Sequence, residues 1–116
     1  MNWAARMKDV LSFRDEREWE QFHHPKELVS GLSIEVSELA EHFLWKTREE
    51  TDEALKDSSF RRRVSNELAD VQVFVMYLVE RLGVDIDEAI LIKLRENAEK
   101  YPVEKSRGRA DKYTDL

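Results

Sequence analysis

The chain has no cysteine, and only three glycines and two prolines among its 116 residues. Without cysteine there is no disulfide framework, thiolate zinc site, iron–sulfur cluster or cysteine nucleophile. The scarcity of glycine and proline excludes a β-sandwich with many tight turns and leaves no glycine-rich phosphate loop. Long hydrophobic runs are missing as well. The longest, Val71-Gln72-Val73-Phe74-Val75-Met76-Tyr77-Leu78-Val79, is far short of the ~20 residues a membrane helix requires. Arg6, Lys8 and Asp9 interrupt the first ten residues, so no signal-peptide core can be drawn there. The expectation is a cytoplasmic protein with no membrane partner. Excess positive charge is also absent: 25 acidic residues face 19 basic ones, for a net charge of −6. That balance argues against nucleic acid as a partner and favours a protein that holds metal ions.

What the chain does have is helical patterning, in a length that accommodates one domain over residues 1–116. Four helices and no strand are predicted. The first runs from about Trp3 to Trp19, with a partial apolar stripe at Met7, Val10, Leu11 and Phe13, and the chain breaks near His23-His24-Pro25. Pro25 opens a second helix reaching Trp45, where Leu28, Leu32, Val36, Leu39 and Phe43 form one face. Residues 46–58 are polar and read as a mobile connection. Ser58 or Ser59 caps a third helix that Gly83 stops after Leu82. Its seam is Val64, Leu68, Val71, Val75, Leu78 and Leu82. A fourth helix starts at Asp85 or Asp87 and ends at Tyr101 before Pro102, leaving 103–116 as an irregular basic tail. The fold class is therefore all-α, a four-helix bundle-type protomer. Around the third helix, Val73, Phe74, Met76 and Tyr77 extend apolar surface over most of the circumference. A helix apolar all round is buried all round. That predicts a homo-oligomer with this helix near the interface, the alternative being the central helix of a compact bundle.

Carboxylates three apart on a helix share a face and can grip one cation. Glu35/Glu38 do so on the second helix and Glu67/Asp70 on the third. Spacing alone carries little, because Asp15/Glu18, Glu50/Glu53, Asp85/Glu88 and Glu96/Glu99 repeat it elsewhere. Position is more informative: both pairs lie at the border of the most apolar stripes, where antiparallel packing would bring them together. Four carboxylates held close repel one another unless a cation sits among them. The other reading is a solvated helix edge. An all-oxygen set suits Mg²⁺, with Mn²⁺ as the second choice. A di-iron bundle needs Glu-x-x-His pairs, and His42 stands four residues after Glu38, which is the wrong spacing.

The ordered set Trp19-Glu20-Gln21-Phe22-His23-His24-Pro25, Glu35-x-x-Glu38-Leu39-Ala40-Glu41, Trp45-Lys46-Thr47, Glu67-Leu68-x-Asp70-Val71, Lys93-x-x-x-Asn97-x-x-x-Tyr101-Pro102 and Lys112-Tyr113-Thr114 resembles the MazG-like all-α nucleoside triphosphate pyrophosphatases. Within them it looks most like the dCTP pyrophosphatase branch. The resemblance implies that Glu35, Glu38, Glu67 and Asp70 bind Mg²⁺, and that Glu38 with Glu35 serves the water that attacks the α-phosphorus. It places Trp19, His23, Trp45 and Phe74 at the base and sugar, with Lys93, Asn97, Lys100 and Tyr101 at the phosphates. It also implies a tetramer built from dimers. The sequence departs from the dCTP-preferring pattern at Val10 and Phe74, where those relatives carry histidine and tyrosine. The rival readings are a non-catalytic helical interaction module and a dUTPase-like diphosphohydrolase.

Overall fold

Capping side chains set the helix boundaries in the computed structural model, which describes residues 1–116. Asn2 opens α1 (Trp3–Glu16) by accepting a hydrogen bond from the Ala5 amide at 3.0 Å. His24 caps α2 (Pro25–Glu41), whose first turn holds Pro25, a position where a backbone N–H has no helical partner in any case. Asp57 caps α4 (Ser58–Leu82) through the Ser59 and Phe60 amides, and Gly83, at φ 64°, closes it in the left-handed region. Asp85 caps α5 (Ile86–Lys100). The fold is all-α, as expected. No helix is long and apolar enough to cross a membrane.

Several boundaries differ from the sequence reading. α1 stops at Glu16, not Trp19, because the Glu18 and Trp19 amides turn back onto the carbonyls of Asp15 and Arg14. This is a Schellman closure with Glu18, at φ 55°, where glycine usually stands, so no residue type announces it. A 3₁₀ turn, Glu20–Phe22, follows. α2 likewise ends at Glu41 rather than Trp45. The supposed connection 46–58 contains α3 (Arg48–Ala54), opened by Thr47 accepting from the Glu50 amide. Thr47-x-x-Glu50 is a capping-box pattern, overlooked because no apolar stripe follows it. The tail is not irregular throughout, since it forms α6 (Val103–Ser106) and a 3₁₀ turn at Tyr113–Asp115. The Tyr113 ring meets Tyr101 edge-on at 5.9 Å and lies under Lys100 Nζ. A contact across twelve residues leaves no trace in local periodicity.

Two compact units make up the chain, Met1–Gly83 and Val84–Leu116. In the first, α4 is central and packs chiefly along α2, with α1 also against it. α2 and α4 run antiparallel: Gly31 lies beside Phe74, whereas His42, eleven residues later, lies beside Glu67 and Phe60. Leu28, Phe60, Met76 and Tyr77 are the buried core. Every residue from Val71 to Val79 is buried or half-buried, so one chain already covers much of the apolar segment. The two ends of the seam are different, with Leu68 at 56% exposure and Leu82 at 57%. On α2 the predicted core residue Val36 is exposed, as are Val29 and Ile34. The reason is a rotation of the expected face. α2 turns Gly31, Glu35, Glu38 and His42 toward α4, a stripe with the same helical spacing but polar chemistry.

Arg14 fixes the entry to this unit. It is 4% exposed, and its guanidinium reaches Asp15 and Glu80 at 2.9 Å, with Glu20 at 3.6 Å. One buried cation thereby ties the end of α1 and the 3₁₀ turn to α4. Burial lowers its pKa, but hydrogen bonds to Asp15 and Glu80 outweigh that and raise it, so the charge is retained.

Candidate active site

Packing of the polar stripe of α2 on α4 gathers carboxylates from both helices. Glu35, Glu38 and Glu67 are half-buried, and each offers an oxygen within 4.8 Å of the others. Glu35 Oε2 is buried and meets no hydrogen-bond partner. Burial holds the Glu35 carboxyl above the ordinary carboxylate range, assisted by a hydrogen bond with Glu38 and by the charges of Glu38, Asp70 and Glu67. No lysine or arginine lies within 4.0 Å of these four carboxylates. Like charges, an unsatisfied buried oxygen and an all-oxygen donor set fit a hard divalent cation. Asp70 stands outside the tightest trio but near enough to act on Glu35.

Asp70 also lines a cavity of about 330 Å³ with Asp9, Val10, Phe13, Val73 and Tyr77. Four of these six walls are apolar or aromatic, the kind of lining that accepts a flat ring. Tyr77 packs against His23, with ring centroids 4.4 Å apart and planes at 57°. His23 Nδ1 is buried and unpartnered. Burial first, then the charge of Arg14, lowers the His23 pKa and favours the neutral imidazole. Trp19 stands edge-on to Phe13 at 5.7 Å, next to the cavity wall. Phe74 is set against Gly31 and edge-on to Tyr77.

Trp45 behaves differently. It is 92% exposed, at φ 65°, a backbone region rarely adopted by a bulky residue. Lys93, Asn97 and Lys100 lie on α5 of the second unit, and Tyr101 is its C-cap. There Lys93 Nζ contacts Glu96 at 3.5 Å, and the Tyr101 amide bonds the Asn97 carbonyl. Phe13, Val73 and Tyr77 carry no sequence mark as cavity walls, since each fits an apolar helical pattern. His42 has the wrong spacing for a di-iron pair, yet the spacing Gly31, Glu35, Glu38, His42 marks one face.

The Glu35 environment makes a prediction about pH. Because the folded pKa is raised, the folded protein keeps a proton that the unfolded chain has already released. Stability of the metal-free protein therefore falls as pH rises from the ordinary carboxylate range through the raised Glu35 value. Thermal melts from acid to neutral pH should show that decline, flattened in Glu35→Gln. Added Mg²⁺ should raise Tm most at the neutral end, where the carboxylates are ionised.

Residues 31–116 match the model of the MazG-like family. Over 104 residues the chain is 44% identical to dCTP pyrophosphatase 1 of Bos taurus, covering 90% of this chain and 62% of that protein. The same comparison with dCTP pyrophosphatase 1 of Homo sapiens gives 40% identity over 90% of this chain and 61% of the relative. The chain thus spans about three-fifths of the length of these curated relatives. Among solved structures, a pyrophosphatase from Archaeoglobus fulgidus superposes with a TM-score of 0.81 at 33% identity, over 88% of this chain and 94% of that one. The helical fold, the paired acidic segments and these matches agree, and the chain belongs to the MazG-like family.

Proposed function

We propose that the protein is a Mg²⁺-dependent nucleoside triphosphate pyrophosphohydrolase that cleaves a deoxynucleoside triphosphate to the monophosphate and pyrophosphate. The observation that carries this reading is the unneutralised carboxylate cluster on α2 and α4, next to a cavity with which it shares Asp70. Glu35, Glu38, Glu67 and Asp70 would hold the cation. A bound divalent ion would neutralise phosphate charge, orient the triphosphate and lower the pKa of coordinated water. Mn²⁺ would serve the same donors. Glu38, within 4.8 Å of Glu35 and Glu67, is the carboxylate we assign to orienting and deprotonating the attacking water. Its partner Glu35 completes the pair.

Trp19, His23, Trp45 and Phe74 are assigned to the base and sugar. His23 has an unpartnered ring nitrogen and packs tilted on Tyr77, and Trp45 offers an open stacking face. Lys93, Asn97, Lys100 and Tyr101 are assigned to the phosphates. The relatives' name makes dCTP or a modified dCTP the first candidate substrate, and pool sanitation the role. Val10, where the dCTP-preferring pattern has histidine, gives the cavity an apolar wall in place of a hydrogen-bonding group. The chain acts as one domain, a reading supported by a family match that runs across both compact units. It assembles as a homotetramer, a dimer of dimers, which would cover the apolar residues Ile34, Val36, Leu68 and Leu82. Cytoplasmic location follows from the same reading.

The test is a substrate panel. Each nucleoside and deoxynucleoside triphosphate is incubated with the protein and Mg²⁺, and the products are separated. Monophosphate with pyrophosphate, fastest from dCTP or a modified dCTP, is the expected outcome. Orthophosphate release, or no turnover of any nucleotide, would overturn the proposal.

A further inference from the structure

His42 is excluded by its spacing from a di-iron motif, but its place in the fold gives it another task. It is the C-cap residue of α2 and continues the stripe of Gly31, Glu35 and Glu38 by one more turn. Its Nε2 lies 3.5 Å from Glu67 Oε1 on α4. The two side chains are 22% and 23% exposed, so the contact is shielded from most competing water. The imidazole stands edge-on to the Phe60 ring at 6.2 Å, and Phe60 is itself buried and edge-on to Phe43. The aromatic cluster thus fixes the ring, and the ring reaches one carboxylate. No lysine or arginine lies within ion-pair distance of Glu67.

Resting on the metal-dependent reading above, we propose that His42 is a positioning residue that donates its Nε2 proton to Glu67 Oε1 and holds that carboxylate ready for a divalent cation. A free glutamate side chain loses rotamer freedom when it ligates an ion, and a fixed hydrogen bond removes part of that loss in advance. Partners of this kind contribute roughly 10–100-fold to metal affinity. A packing role alone would need only a side chain of suitable bulk against Phe60, which leucine supplies. Positioning requires a donor at the Nε2 distance from the backbone. Glutamine places its amide nitrogen there, whereas asparagine falls short.

The experiment measures Mn²⁺ binding to the intact, nucleotide-free protein by electron paramagnetic resonance of the free ion. Wild type, His42→Leu, His42→Asn and His42→Gln are compared, with circular dichroism to establish that each is folded. The expected result is about tenfold or more weaker binding in the Leu and Asn variants, with most of the affinity restored in Gln. Kinetics should show the same order in the metal concentration needed for half-activity, while KM for nucleotide at saturating metal stays near that of wild type. Wild-type binding in the Asn or Leu variant, or a Gln variant as weak as Asn, would overturn the assignment of His42 and leave the metal site standing. No Mn²⁺ binding by wild type would overturn the metal-dependent reading, and this inference with it.

Discussion

Glu38→Gln is expected to reduce turnover by at least about 10²–10³-fold, the scale on which loss of a single charge-stabilising group acts. Its effect on the fold should have the opposite sign. Glu38 sits within 4.8 Å of Glu35 and Glu67 with no cation from the chain to offset it, so removing its charge relieves repulsion. The metal-free variant should therefore melt at or above the wild-type temperature, while the rise in Tm on adding Mg²⁺ shrinks or disappears. Asp70→Asn is expected to behave alike, because Asp70 acts on Glu35 from the side that opens into the cavity. Inactivity joined to unchanged or higher stability is the mark of a site held together against its own charge. Wild-type activity in both variants would remove these residues from the reaction.

The second large effect comes from a residue that carries no chemistry. A Cβ at Gly31 would stand 2.4 Å from Phe74 Cε1 and 2.7 Å from Cζ, well inside contact distance. In an exposed helix, alanine would be preferred over glycine by about 1 kcal/mol. Here overpacking opposes that gain, because Phe74 is backed edge-on by Tyr77, which is itself part of the core. With an overpacking cost of roughly 1–3 kcal/mol, Gly31→Ala is expected to lose about 1 kcal/mol net. That corresponds to a fall in Tm of several degrees. Activity should fall further than stability, since the clash pushes apart the helices that bring Glu35 and Glu38 against Glu67. Phe74→Leu in the same chain frees space near Gly31 and should restore Tm. The cycle of single and double variants measures that coupling. A Gly31→Ala protein that melts above wild type would mean that the Phe74 ring moves aside freely.

Much of this could be read before the fold was known, and what could not has identifiable causes. Apolar periodicity located α2 and α4, because each buries a face and the period of that face is local. By contrast α5, which has no buried residue, is marked by Asp85 at its start and Pro102 after its end. The same rule misjudged which face of α2 meets α4. Leu28 is buried as expected, but Val36 is exposed, and the glycine of the facing stripe is what admits Phe74. Polar residues that pack against polar residues give no hydrophobic signal, so the stripe through Glu35, Glu38 and His42 had to be inferred from the clash of its charges. The sequence pattern carries two helix ends too far along for a similar reason. Glu18 and Trp45 adopt positive φ without being glycine, so no residue type marks either turn. The carboxylate pairs themselves were legible, as two matching spacings on two apolar helices. Their company was not: Phe13, Val73 and Tyr77 line the cavity through contacts between α1 and α4 that no local pattern encodes.

The central claim is that water attacks the α-phosphorus of a nucleoside triphosphate at this carboxylate cluster. Hydrolysis in ¹⁸O-labelled water tests it directly, using the nucleotide that turns over fastest and mass spectrometry of both products. Attack at the α-phosphorus places one ¹⁸O in the nucleoside monophosphate and none in the pyrophosphate. Label in the pyrophosphate, label in released orthophosphate, or no hydrolysis at all would contradict the account.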